Sequence, residues 1–96
     1  MKSNEYLCDL QTLRNIAFTC WDPIGIAGSR NHHEDEYDAY ILQAAGLAIR
    51  GRSREDVAEF LIKCCSEMGI GGDAAKAAKA AQAIFREVFG AKLAVV

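Results

Sequence analysis

A single proline, Pro23, stands among 96 residues, so almost the whole chain is free of the residue that most firmly ends a helix. Valine, threonine and aromatic residues are sparse, while alanine, the best helix former, is abundant after Gly72. Strand formation is disfavoured before any periodicity is considered. No apolar run approaches the ~20 residues that span a bilayer. Met1-Lys2-Ser3-Asn4-Glu5 leads into an amphipathic pattern, without a signal peptide's apolar run or cleavage site. Cys8, Cys20, Cys64 and Cys65 form neither a Cys-x-x-Cys pair nor a secreted disulfide framework. Reduced thiols in a soluble cytoplasmic protein are therefore expected. Excess positive charge is missing too: the formal net charge is −2, which argues against broad binding to nucleic acid. The common enzyme fingerprints are absent, with no nucleophile elbow, phosphate loop or dinucleotide motif. Without an internal repeat or low-complexity linker, residues 1–96 read as a single helical domain with one modest core.

What is present is helical periodicity with conventional caps. The first predicted helix covers residues 4–20, capped by Ser3 or Asn4. Tyr6, Leu10, Leu13 and Ala17 form its inward stripe, flanked by Leu7 and Ile16, and Glu5, Gln11, Arg14 and Asn15 face water. Pro23 imposes its end. The second begins near Glu34 or Asp35, buries Tyr37, Tyr40, Ile41, Ala44, Leu47 and Ala48, and stops at Arg50-Gly51. Ser53, with Asp56 three positions on, caps the third, whose stripe is Val57, Phe60, Leu61, Cys64, Cys65 and Met68, with Gly69 ending it. Asp73 caps the fourth, which runs to Phe89 and stops at Gly90. Its alanine-rich first half permits close helix approach, and Ile84, Phe85, Val88 and Phe89 supply bulk. The expectation is all-α, a compact bundle of four amphipathic helices.

Residues 21–40 concentrate the unusual chemistry: the only Trp and Pro, both His, and five of the thirteen acidic residues. Asp22-Pro23-Ile24-Gly25 has the residue order of a type I turn, with the Asp22 carboxylate placed to accept the Ile24 amide. Trp21, Ile24 and Ile26 then either cover the end of the core or form an exposed anchor, with core packing the ordinary outcome, and Trp21, Ile24, Tyr37 and Tyr40 are expected to meet where the first two helices join. Residues 27–33 read as a mobile polar loop. The carboxylates of Glu34, Asp35, Glu36 and Asp38 crowd the second helix's first turn, where the helix dipole favours them. Such a cluster serves as a solvated cap, a receiver of a partner's Arg and Lys side chains, or a metal or acid–base site. His32-His33 lacks any zinc-site spacing. A helix-turn-helix reading fails because Glu55, Asp56 and Glu59 would face DNA.

Asp22-Pro23-Ile24-Gly25-Ile26 followed by Asp35-Glu36-Tyr37-Asp38-Ala39-Tyr40 resembles the pattern of small uncharacterised bacterial proteins with a DPIG turn and a DEYD-x-Y helix, and more distantly the YugE-like helical proteins. The resemblance covers roughly residues 20–70 and implies a compact helical fold with no activity to carry over. Some such small acidic proteins look like immunity or antitoxin partners. The functional expectation is a non-enzymatic protein-binding module of that type, using Asp22, Asp35, Glu36 and Asp38 against a partner with a basic surface. It needs no cofactor, metal, nucleic acid or membrane. The alternative is a small-ligand-binding or metal-dependent enzyme using the same carboxylates. Self-association is expected through the fourth helix or through the apolar tail of Leu93, Ala94, Val95 and Val96.

Overall fold

Residues 9–94 are described by the computed structural model, and the expectations for Ser3, Asn4, Glu5, Tyr6, Leu7 and Cys8, and for the side chains of Leu93, Ala94, Val95 and Val96, lie outside what it describes. Among the described residues there is no strand, and four helices of seven residues or more, with one shorter helix, make the fold an all-α bundle. None of these helices is long and apolar enough to cross a membrane.

The first helix, α1 (Leu10–Ile16), buries Leu13 and Ile16 and continues into a π-helical turn, Ala17–Trp21, that buries Ala17, Phe18 and Trp21. The wider turn carries an i to i+5 bond from the Asp22 amide to the Ala17 carbonyl at 2.7 Å. It presents three large or close-packed side chains inward, and α1 with this turn packs on the later helices. Leu10 departs from the predicted stripe and is exposed, because α1 begins at Leu10 and no described element covers that end.

Residues 27–33 are more ordered than a polar loop: a 3-10 turn, Ala27–Ser29, runs into a short helix, α2 (Arg30–His33). Arg30 anchors this segment by lying over the Phe18 ring, 5.1 Å from its centroid. Residues 34–37 are a turn, and α3 (Asp38–Ile49) starts three or four residues later than the first-turn carboxylates suggested. Of the acidic run, only Asp38 falls in the first turn of α3. Its core face is Ile41, Ala44, Ala45 and Ala48.

The local stop and start signals operate as their chemistry requires. At the end of α3 the Arg52 amide reaches the Leu47 carbonyl and the Gly51 amide reaches Ala48, with Gly51 at φ +94°. This paired 6→1 and 5→2 arrangement satisfies carbonyls that the helix leaves open. The Ser53 hydroxyl then accepts the Asp56 amide at 3.0 Å and caps α4 (Arg54–Glu67), which ends in the same arrangement through Gly69 and Ile70. Gly72 lies where a Cβ would sit 2.8 Å from Ile62, so the α4–α5 connection passes too close for a side chain.

The last helix, α5 (Ala74–Ala94), is capped by the Asp73 carboxylate, which accepts the Lys76 amide at 3.1 Å. It does not stop at Gly90. One glycine in a helix interior costs only about 1 kcal/mol, and the residues after it are good helix formers. Ala77, Ala80 and Ala81 are buried, and α5 makes with α4 the most extensive helix pairing of the fold. The core runs from Leu13 and Trp21 through Ile41, Val57 and Leu61 to Ile84 and Val88.

Candidate functional site

The turn after α1 and the turn before α3 are joined through one tyrosine. Tyr37 is 1% exposed, with its ring 5.0 Å from Phe18 and 5.4 Å from Trp21 between centroids. Its hydroxyl donates to Asp22 Oδ1 at 2.9 Å and accepts the Ile24 amide at 3.1 Å. The same Asp22 oxygen accepts the Ile26 amide at 2.9 Å. Burial pushes the Tyr37 phenol well above its ordinary pKa; the Ile24 amide acts in the opposite direction and the Asp22 carboxylate adds to the rise. The hydroxyl therefore keeps the proton that it donates to Asp22.

This arrangement holds a strained backbone. Asp22 sits at φ +34°, ψ +60°, a left-handed conformation that a non-glycine residue adopts at a cost of order 1–3 kcal/mol. Two hydrogen bonds to its carboxylate and the turn bond from the Gly25 amide to the Asp22 carbonyl at 3.1 Å offset that cost. The turn expected at Asp22-Pro23-Ile24-Gly25 is thus present, but the Ile24 amide goes to Tyr37 rather than to the Asp22 carboxylate. Ile24 itself is 45% exposed and does not join Trp21, Tyr37 and Tyr40 in the aromatic cluster. It lies in a tight turn directly after a proline, with its amide committed to the Tyr37 hydroxyl.

A second tie fixes the start of α3. Arg14 grips Asp38 with two bonds, Nε to Oδ1 at 2.9 Å and Nη2 to Oδ2 at 2.6 Å, and its Nη1 lies 3.6 Å from Glu34 Oε1. The Asp38 hydrogen bond raises the Arg14 pKa further, and the guanidinium remains charged. Planar fork meets planar carboxylate here, which fixes direction as well as distance. Arg14 was expected on the solvated face of the first helix, and its partner is 24 residues away. No local spacing announces such a pair.

The four carboxylates expected to act together are divided by the fold. Asp22 is bound into the Tyr37 lock and Asp38 into the Arg14 fork, whereas Asp35 and Glu36 are exposed on the intervening turn, with Glu34 beside them. The Glu36 and Asp38 amides bond the His33 and Asp35 carbonyls at 2.9 and 3.2 Å, closing the turn on itself. His32 and His33 point into solvent at the end of α2. Among the described residues no group of three or more His, Cys, Asp and Glu is placed to hold a metal ion. No family model, characterised protein or solved structure matches the chain.

Other reactive groups lie apart from this turn. Cys64 and Cys65 are buried and unbridged; burial, with Glu67 nearby, pushes the Cys64 thiol up to about 11. Burial also raises Cys65, against which a hydrogen bond from Trp21 acts. Both are poor nucleophiles at neutral pH. A groove of about 570 Å³ runs over Leu47, Phe60, Ile62 and Ile70, rimmed by Arg52, Asp56, Glu59 and Lys63, and shares no residue with the acidic turn. Its rim charges are of both signs, and Arg52 is paired with Asp56 at 3.0 Å.

Proposed function

We propose that the chain is a non-enzymatic protein-binding module of immunity or antitoxin type, acting in the cytoplasm of a bacterium against a partner with a basic surface. The observation that carries this reading is the held acidic turn. Asp35 and Glu36 are exposed, yet the residues on either side of them are fixed, Glu34 and Asp38 by Arg14 and Tyr37 by Asp22. Charges presented in this way lose little freedom on binding, and their field speeds encounter with a cationic partner. Asp35 and Glu36 are the contact residues in this reading, while Asp22 and Asp38 position them. The contact has no need of a cofactor.

Affinity capture from source-cell lysate tests the reading, using tagged wild type and an Asp35→Lys/Glu36→Lys variant shown by circular dichroism to fold alike. A basic protein retained by wild type alone, with affinity that falls steeply as salt rises, is the expected result. Retention of the same proteins by the variant overturns it.

A further inference from the structure

Between the start of α4 and the second half of α5 lies a hollow of about 400 Å³, lined by Arg54, Gln82, Phe85, Arg86, Phe89 and Gly90. That volume falls within the ~300–1,000 Å³ range of small-molecule sites. Its apolar lining is aromatic, for the half-buried rings of Phe85 and Phe89 lie 5.3 Å apart between centroids, tilted by 48°. Its polar lining is two guanidiniums and one amide, all exposed. None of the three makes a side-chain hydrogen bond or ion pair with a described residue. The carboxylates next to them in the chain stand elsewhere: Glu55 lines the adjoining hollow of about 190 Å³, and Glu87 lines neither. The charge facing this hollow is therefore of one sign.

Gly90 belongs to the same arrangement. Helix α5 continues through it to Ala94, its φ is not left-handed, and a Cβ there would meet nothing closer than Arg86 Cγ at 3.9 Å. Neither backbone conformation nor packing calls for a glycine, and alanine would favour the helix. What the missing side chain does is leave the hollow open beside Arg86. We propose that this hollow binds a small organic anion with a flat apolar body, of the aromatic carboxylate class. The body lies against Phe85 and Phe89, and the carboxylate meets the guanidiniums of Arg54 and Arg86, whose planar forks suit it. Two cations without a counter-charge select an anion over a cation or a zwitterion. The aromatic rings select an anion that carries a ring over an inorganic one. The site lies on α4 and α5 and shares no residue with the acidic turn, so it stands or falls apart from the toxin-type partner.

Titration of the isotope-labelled full chain with naphthoate, followed by amide NMR, tests it. Saturable shifts at Arg54, Gln82 and residues 85–90 are expected, with a dissociation constant of about 1 mM or below. Naphthylmethanol, which keeps the body and loses the charge, binds about tenfold more weakly, and acetate, which keeps the charge and loses the body, gives no saturation. Arg54→Ala and Arg86→Ala, both at exposed positions, each weaken naphthoate about tenfold while circular dichroism shows both folded. Gly90→Leu moves stability and binding in opposite directions: the thermal midpoint rises because leucine is the better helix former, and naphthoate binds more weakly because the new side chain enters the hollow. No saturation of wild type, shifts confined to other residues, equal affinity for naphthoate and naphthylmethanol, or arginine variants that bind like wild type each overturn the proposal. A short oligothymidylate that shifts these amides where naphthoate does not also overturns it and gives the face to a nucleic-acid strand.

Discussion

The α4–α5 pair and the Asp22–Tyr37 lock hold the same chain together by opposite means. In the pair, two capped helices share the largest helix contact of the fold, α5 buries small side chains such as Ala77, Ala80 and Ala81, and stability is spread over many similar contacts. In the lock, one hydroxyl serves an amide and a carboxylate, one backbone position is strained, and three aromatic rings close over the joint. Distributed packing tolerates the loss of any one contact. The lock concentrates its stability in a few atoms, and that concentration is what lets it fix the acidic turn beside it.

The sharpest way to break this contrast is Trp21→Ala. Trp21 is 2% exposed and packs its ring against Tyr37 and Tyr40, so its removal is expected to cost about 3–5 kcal/mol in urea unfolding. Tyr37→Phe removes a single oxygen. With the Ile24 amide left without its acceptor and Asp22 without the bond from the Tyr37 hydroxyl, a loss of about 1–3 kcal/mol is expected, together with faster amide exchange at Ile24 and Ile26. If that variant were as stable as wild type, the lock would be packing alone. On the other side of the contrast, Ser53→Ala should cost about 1 kcal/mol, the ordinary worth of a helix cap, and leave exchange in the lock unchanged.

A pH dependence, which vanishes at neutral pH, gives the last test. The Cys64 thiol ionises near 9 when unfolded and near 11 when folded, so the folded state holds its proton more tightly. Its contribution is fully present below pH about 9 and is lost as pH rises through about 11. Urea midpoints measured across that window should fall with pH, and Cys64→Ala should flatten the slope attributable to this group. An unchanged slope in the variant would assign the titration to other residues.

The same contrast separates what could be read in the sequence from what could not. Ser53, Gly51, Gly69 and Asp73 act within four residues of themselves, so helix ends at α3, α4 and the start of α5 were legible from local chemistry. The periodic stripes of α3 and α4 were legible for the same reason. Tyr37 with Asp22 spans 15 residues and Arg14 with Asp38 spans 24, and no spacing rule reaches across a turn and a short helix. The acidic run was consequently read as one cluster in a helix's first turn, when Asp22 and Asp38 are committed inward and Asp35 and Glu36 outward. Gly90 misled in the opposite direction, since a local stop signal was overruled by helix formers on both sides.

The π-helical turn at Ala17–Trp21 gives this chain one place where residue count can change at little cost. A π turn holds one residue more than an α turn, so deletion of Thr19 would let the segment close as an ordinary α turn, with its two flanks facing nearly as before. The regular part of α1 has no such reserve: after a one-residue gap there, everything before the gap would turn by about 100° relative to everything after it, and Leu13 would leave the core. A gap at the exposed Thr19 should therefore be absorbed, whereas one between Leu13 and Ala17 should not. In a related chain, one residue fewer just before the Asp-Pro step would be compatible with this architecture.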